Sequence, residues 1–148
     1  MIEYRKGNLF AEKHDYIVHG CNSEGVMGSG VAKIIREIYP KAYKDYIDEY
    51  LENGSKLQLG QIIPSMQPDG TIIINAITQG AYGYDRQKYV SYDAVDMCME
   101  KLRIAMIGVD SEITMPKIGA GLGGGNWEII EAIINHRLKD HKVVVYEL

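Results

Sequence analysis

Cysteine is scarce: Cys21 and Cys98 are the only two in 148 residues. That excludes a disulfide framework and a clustered cysteine metal site, and leaves both as small buried hydrophobes. The four histidines, His14, His19, His136 and His141, are scattered, with no H-E-x-x-H pair among them. No G-x-S-x-G elbow occurs, and Cys21 has no arginine at the spacing of a cysteine phosphatase loop. No apolar run is long enough to span a bilayer, and MIEYRKGNLF lacks the apolar segment of a secretory signal. A soluble cytoplasmic protein with no membrane partner is the expectation. Positive charge is not in excess either. Sixteen Lys and Arg face 20 Asp and Glu, a net charge of −4 that argues against a strongly basic nucleic-acid surface. No repeat or low-complexity segment appears. What remains is an ordinary globular composition, 46% apolar and 24% charged, at a length suited to one core.

Glycine is what the chain has in abundance. Five of its 16 glycines fall within residues 119–125, in ITMPKIGAGLGGGNWEIIEAII. An apolar run (Ile113 to Ile118) leads into them, and an amphipathic helical pattern starts at Asn126-Trp127-Glu128. Glycine lets backbone approach a ligand closely. The unpaired N–H groups and positive dipole end of a following helix favour an anion. A phosphate-containing ligand is the leading expectation.

The remaining pattern is alternating. Residues 1–5 and the short run 16–18 read as strands, the latter ending at His19-Gly20 before a polar loop from Cys21 to Gly30. Val31, Ile34, Ile35 and Ile38 recur at helical spacing, and Pro40 ends that helix and opens another. The second helix should carry Tyr43, Tyr46, Ile47, Tyr50 and Leu51 inward and stop at Asn53-Gly54. Gly60 to Ile63 and Thr71 to Thr78 read as strands around the turn Pro68-Asp69-Gly70. A helix over 90–107, a strand from Ile113 to Ile118, a helix over 126–138 and a strand from Val143 to Tyr146 complete the order β-β-α-α-β-β-α-β-α-β. Such alternation implies a three-layer α/β domain with its ligand outside the carboxyl ends of the strands. Three loops, 19–30, 79–88 and 119–125, then share one crevice if their strands are parallel neighbours.

Individual residues carry two readings each. GAGLGG matches G-x-G-x-x-G between a strand and a helix, but only one short strand follows, a poor fit to a dinucleotide-binding fold. No Gly-Lys-Ser/Thr makes a Walker loop. Gly28-Ser29-Gly30 leads into a helix as a second anion cradle. Asn22 can hold vicinal ribose hydroxyls or close a local Asx-turn. His19 is a proton-transfer group or a packed strand-end histidine. Asn8 reads a base edge or caps a turn. Tyr146 stacks on a base or belongs to the core.

Together the motifs YRKGNL, IVHGCNSEGVMGSGVAKII, YPKAYKDY, PKIGAGLGGGNWE and VVVYEL, in this order over nearly the whole chain, resemble a macrodomain, the ADP-ribose-binding module. They are most like the small macrodomains that include ADP-ribose 1″-phosphate phosphatases and terminal ADP-ribose glycohydrolases. The resemblance implies one α/β/α domain over residues 1–148, with a mixed, largely parallel sheet of about six strands. It implies no cofactor and no metal. It places Asn8 and Leu9 at adenine and Asn22 at the distal ribose, and makes Gly20 a further ligand-binding residue. Gly28, Ser29, Gly30 and Val31 fall on the first phosphate loop. Ile118, Gly119, Ala120, Gly121, Leu122, Gly123 and Gly124 fall on the second, and Tyr146 covers adenine. It puts Ala32 where one hydrolase branch has an aspartate, and Gln79 and Gly123 where another has a lysine and an aspartate. The expected activity is hydrolysis of ADP-ribose 1″-phosphate, with His19 as general acid/base and Asn22 positioning the ribose. The alternatives are a reader of ADP-ribose or ADP-ribosylated protein, and a hydrolase of ADP-ribosyl or O-acetyl-ADP-ribose esters.

Overall fold

A computed structural model describes residues 1–80, 90–121 and 123–147. Its elements follow the expected order: β1 (Ile2–Lys6), a 3-10 turn (Leu9–Ala11), β2 (Tyr16–Asn22), α1 (Gly30–Ile38), α2 (Pro40–Glu52), β3 (Ile62–Met66), β4 (Ile72–Gln79), α3 (Tyr92–Ala105), β5 (Ile113–Pro116), α4 (Trp127–Arg137) and β6 (Val143–Glu147). The sheet order is β1-β6-β5-β2-β4-β3. All neighbours are parallel except β3, which runs antiparallel to β4 at the edge. The fold is the three-layer α/β/α sandwich with a mixed, largely parallel sheet.

Alternating residues of the central strands face opposite layers, so apolar runs are buried on both sides. Val18, Ile74, Ala76, Met115 and Val145 pack with Val95, Met99 and Leu102 of α3 and Ile130 and Ile134 of α4. Ile17, Ile73 and Val144 pack with Ile35 of α1 and Ala42 of α2, and Cys21, Ile63 and Ile77 pack with Tyr46. Cys21 and Cys98 are both free and buried. Among the described residues no helix is long and apolar enough to cross a membrane.

Some boundaries differ from expectation. β2 runs on through Asn22 rather than ending at His19-Gly20, because its ladder with β4 continues through Gly20↔Ala76 and Cys21↔Ile77. His-Gly-Cys-Asn is therefore strand, not loop. β5 stops at Pro116, where Ile118 N–H turns back to Pro116 O at 2.8 Å and lifts the chain out of the sheet. β3 starts at Ile62, after Gly60 has turned the chain at φ +91°. Leu51 is 61% exposed: Tyr46 and Ala42 cover the sheet, and Leu51 lies past their face at the helix end. The expected loop at 79–88 lies outside the described residues except for Gln79 and Gly80.

Candidate functional site

From β2 the chain runs to β3, on the β4 side of the sheet, and from β5 it runs to β6 on the other side, so the connections diverge between β2 and β5. Ligand crevices of parallel sheets form at such a point, outside the carboxyl ends of the strands. A cavity of about 390 Å³ opens there. Gly20, Cys21 and Asn22 form its floor at the end of β2, with Gln79 beside them. Val26 and residues 28–32 make one wall, and Pro116, Lys117, Ile118, Gly119, Gly121 and Gly123 make the other.

The first wall is shaped by Asn22. Its Oδ1 accepts from Glu24 N–H (3.0 Å) and Val26 N–H (3.3 Å), and its Nδ2 donates to Val26 O (2.7 Å). Buried Tyr46 of α2 donates to both Asn22 O (2.7 Å) and Asn22 Oδ1 (2.9 Å). Asn22 thus lines the cleft while its amide closes the Asx-turn. Gly25 sits at φ +78° with the Tyr50 ring 2.8 Å from where a Cβ would stand, so the turn accepts no side chain there. Ser29 takes the N-cap position of α1, yet its hydroxyl makes no capping bond. The first helical bond is Lys33 N–H to Ser29 O at 3.3 Å. The N–H groups of Gly30, Val31 and Ala32 precede it, at the positive end of the helix dipole and at the cleft wall.

The second wall is a loop folded on itself. Gly125 N–H donates to Gly119 O (2.7 Å), Gly124 N–H to Gly121 O (3.1 Å), and Val90 N–H to Gly123 O (2.9 Å). Most of its glycines answer to this internal packing. A Cβ on Gly125 would stand 2.6 Å from Val90 Cγ1, and one on Gly123 2.8 Å from Gly119 O. Gly119 has φ +74° and Val90 against it. Of Gly119, Gly121, Gly123 and Gly125, Gly121 is the one whose added Cβ would meet nothing within 4 Å.

The cleft brings together Gly20, Asn22, Gly28, Ser29, Gly30, Val31, Ile118, Gly119, Gly121 and Gly123. Ala120 and Gly124 belong to the same loop without lining it, and Leu122 lies outside the described residues. Asn8, Leu9 and Tyr146 lie further along the strand ends. Asn8 Oδ1 caps the 3-10 turn by accepting from Phe10 N–H at 2.9 Å. Leu9 and Tyr146 pack with Ile17, Ile35 and Val144, and Tyr146 meets His14 edge-on at 5.5 Å.

His19 requires a correction. Lying inside β2, it points under α2 rather than into the cleft and is 1% exposed. Its Nε2 is 2.6 Å from Asn75 Oδ1, and Cys21 Sγ lies 3.5 Å from the same nitrogen. Burial, only partly offset by the Asn75 bond, lowers its pKa to about 4. The ring is neutral and walled off, so this geometry gives it no proton to exchange with a water in the cleft. Burial also pushes the Cys21 thiol well above its ordinary pKa, which keeps it protonated.

Lys117 lines the cleft, one residue ahead of the expected start of the second loop at Ile118. The basic residue in PKIG was the available signal. Among the described residues no carboxylate and no histidine lines the cavity, and none form a group able to hold a metal ion.

The fold, the diverging connections and the paired glycine walls match a known family: the Macro domain model fits residues 18–134. The chain belongs to the Macro domain family. This macrodomain is 30% identical to an ADP-ribose 1″-phosphate phosphatase of Candida albicans, over 90% of this chain and 92% of that protein. It is 31% identical to a DNA ADP-ribosyl glycohydrolase of Thermus aquaticus, over 94% of this chain but 38% of that longer protein. The solved macrodomain of Thermus aquaticus DarG superimposes with a TM-score of 0.80 at 27% identity, covering 100% of this chain and 99% of that one.

Proposed function

We propose that this macrodomain binds ADP-ribose and its phosphorylated derivatives in the cleft and hydrolyses ADP-ribose 1″-phosphate to ADP-ribose and phosphate. The carrying observation is the cleft itself. Two glycine-containing walls face each other across about 390 Å³, one of them the N-terminus of α1, and no described side chain between them is an acid. Such a site suits a ligand with several phosphate charges, held by backbone N–H groups that also stabilise charge in the transition state. Similarity to the Candida albicans phosphatase supports the choice of the 1″-phosphate. In this reading Asn8, Leu9 and Tyr146 serve adenine at the β1 and β6 ends. The glycine walls hold the diphosphate, and Gly20 and Asn22 meet the distal ribose. The order of strand ends then follows the order of groups in ADP-ribose. Water adds across the bond to the terminal phosphate, and His19 takes no part.

A reader without catalysis is the second reading, favoured by the lack of a carboxylate or histidine among the described lining residues. Hydrolysis of ADP-ribosyl esters is the third; the glycohydrolase relative, named for removing ADP-ribosyl from DNA, supports release of an ADP-ribosyl group but not the ester linkage. Calorimetry with ADP-ribose, phosphate release from ADP-ribose 1″-phosphate and ADP-ribose release from modified glutamate together separate them. Binding with release is expected. Binding without release selects the reader, and release of ADP-ribose from modified glutamate selects the ester hydrolase. Absence of both binding and release overturns the proposal.

A further inference from the structure

We infer that Lys117 is the charge-selecting residue of the cleft: its ammonium pairs with the diphosphate of a bound nucleotide, and Glu147 competes with that ligand for it. The inference rests on the proposed nucleotide reading and adds to it a residue and a control on affinity. Lys117 directly follows the last residue of β5 and, among the described residues that line the cavity, is the only one of formal charge. Its Nζ lies 3.0 Å from Oε1 of Glu147, the last residue of β6, on the strand beside β5.

Several features suit this pair to exchange. The two side chains are 39% and 33% exposed, and a half-exposed ion pair in water is weak and screened by salt. A phosphate group, with more charge and more acceptor oxygens than a carboxylate, is the stronger partner for a lysine ammonium. The lysine stem is long and flexible, so its head can move from one anion to another without backbone change. The Lys117 ammonium also stands 5.9 Å from the centre of the Trp127 ring. Trp127 Nε1 donates to Tyr4 Oη at 2.9 Å, and Tyr4 in turn donates to Glu131, so the ring beside the ammonium is held by a hydrogen bond of its own. With a net charge of −4 the chain as a whole repels a nucleotide, and Glu147 adds to this at the strand ends. With the diphosphate bound as proposed, Lys117 offsets that repulsion.

The two partners make opposite predictions, which a structural ion pair does not. ADP-ribose and adenosine are titrated calorimetrically into wild type, Lys117→Gln, Lys117→Arg and Glu147→Gln, at low and moderate salt. Lys117→Gln weakens ADP-ribose binding about tenfold, Lys117→Arg restores most of it, and Glu147→Gln strengthens it about threefold. Added salt shrinks the difference between Lys117→Gln and wild type, and adenosine, which has no phosphate, binds all four proteins alike. If wild type binds ADP-ribose and Lys117→Gln binds it equally well, the role of Lys117 is overturned while the nucleotide reading stands. Equal weakening by Lys117→Gln and Glu147→Gln overturns the competition and leaves a structural pair. Failure of wild type to bind ADP-ribose overturns both.

Discussion

His19 Nε2 and Asn75 Oδ1 stand 2.6 Å apart, buried between β2 and β4 beneath α2. The Asn75 amide donates to Ile63 O (3.1 Å) and Ala42 O (3.3 Å), which leaves Oδ1 as acceptor and puts the imidazole proton on Nε2. The histidine thus ties two strands to a helix as a neutral donor. Its pKa falls from 6.5 to about 4 through burial. The unfolded chain therefore binds a proton here before the folded one does. The resulting stability is complete above pH 6.5, declines as pH falls from 6.5 toward 4, and changes no further below. The gap corresponds to roughly 3 kcal/mol. Urea unfolding at pH 7 and pH 4.5 should show a smaller acid-dependent loss in His19→Gln than in wild type. Phosphate release by folded His19→Gln at saturating substrate should stay within about twofold of wild type. A loss of a hundredfold would return His19 to the chemistry.

The second glycine wall separates residues needed for packing from one that is not. Gly125 faces Val90 Cγ1, with 2.6 Å between that carbon and an added Cβ, whereas Gly121 faces open space. Gly125→Ala should destabilise by about 1–3 kcal/mol through overpacking. Gly121→Ala should leave stability within about 0.5 kcal/mol. Thermal unfolding of the two variants checks this, and equal effects would refute the packing account.

Much of this was legible in the sequence. Pro40 divides α1 from α2, the Pro68-Asp69-Gly70 turn separates β3 from β4, and the glycine walls flank helix starts as their composition implies. What escaped reading depends on neighbours distant in sequence. His-Gly-Cys-Asn has no β-branched residue to mark it as strand, and only the ladder to Ala76 and Ile77 extends β2 through it. That one extension moves His19 from a strand end to the core. The glycines of 119–125 read as ligand-facing because Val90, which excludes side chains at Gly119 and Gly125, arrives from another element. In α1 the stripe Val31, Ile34, Ile35 and Ile38 has the right period. Only Ile35 is fully buried, since Val31 and Ile34 border the cleft instead.

Tyr46 links the core to the first wall. Its hydroxyl donates to Asn22 O and Oδ1 from a fully buried ring, and burial pushes its pKa well up, so it stays a donor at any working pH. Tyr46→Phe removes that donor and leaves the ring. Stability should fall by about 1–3 kcal/mol, because Asn22 keeps buried acceptors with one fewer partner. The turn at 22–26 should also loosen, which amide hydrogen exchange at Glu24 and Val26 would report as faster opening. Unchanged exchange at these two amides would mean that Asn22 holds the turn alone.

Ser29 gives the sharpest division between folding and binding. A serine at an N-cap normally stabilises its helix through its hydroxyl, and losing it typically costs about 1 kcal/mol. Here the hydroxyl makes no capping bond and the residue lines the cleft. Ser29→Ala should therefore leave the unfolding midpoint within about 0.5 kcal/mol of wild type. Affinity for ADP-ribose should fall about three- to tenfold, the size expected for one hydrogen bond to a charged phosphate. Ala32→Asp should act in the same direction through charge, placing a carboxylate among the N–H groups that face the ligand. If Ser29→Ala destabilises the protein by a full cap's worth and leaves affinity intact, the hydroxyl belongs to the helix and the first wall binds through its backbone alone.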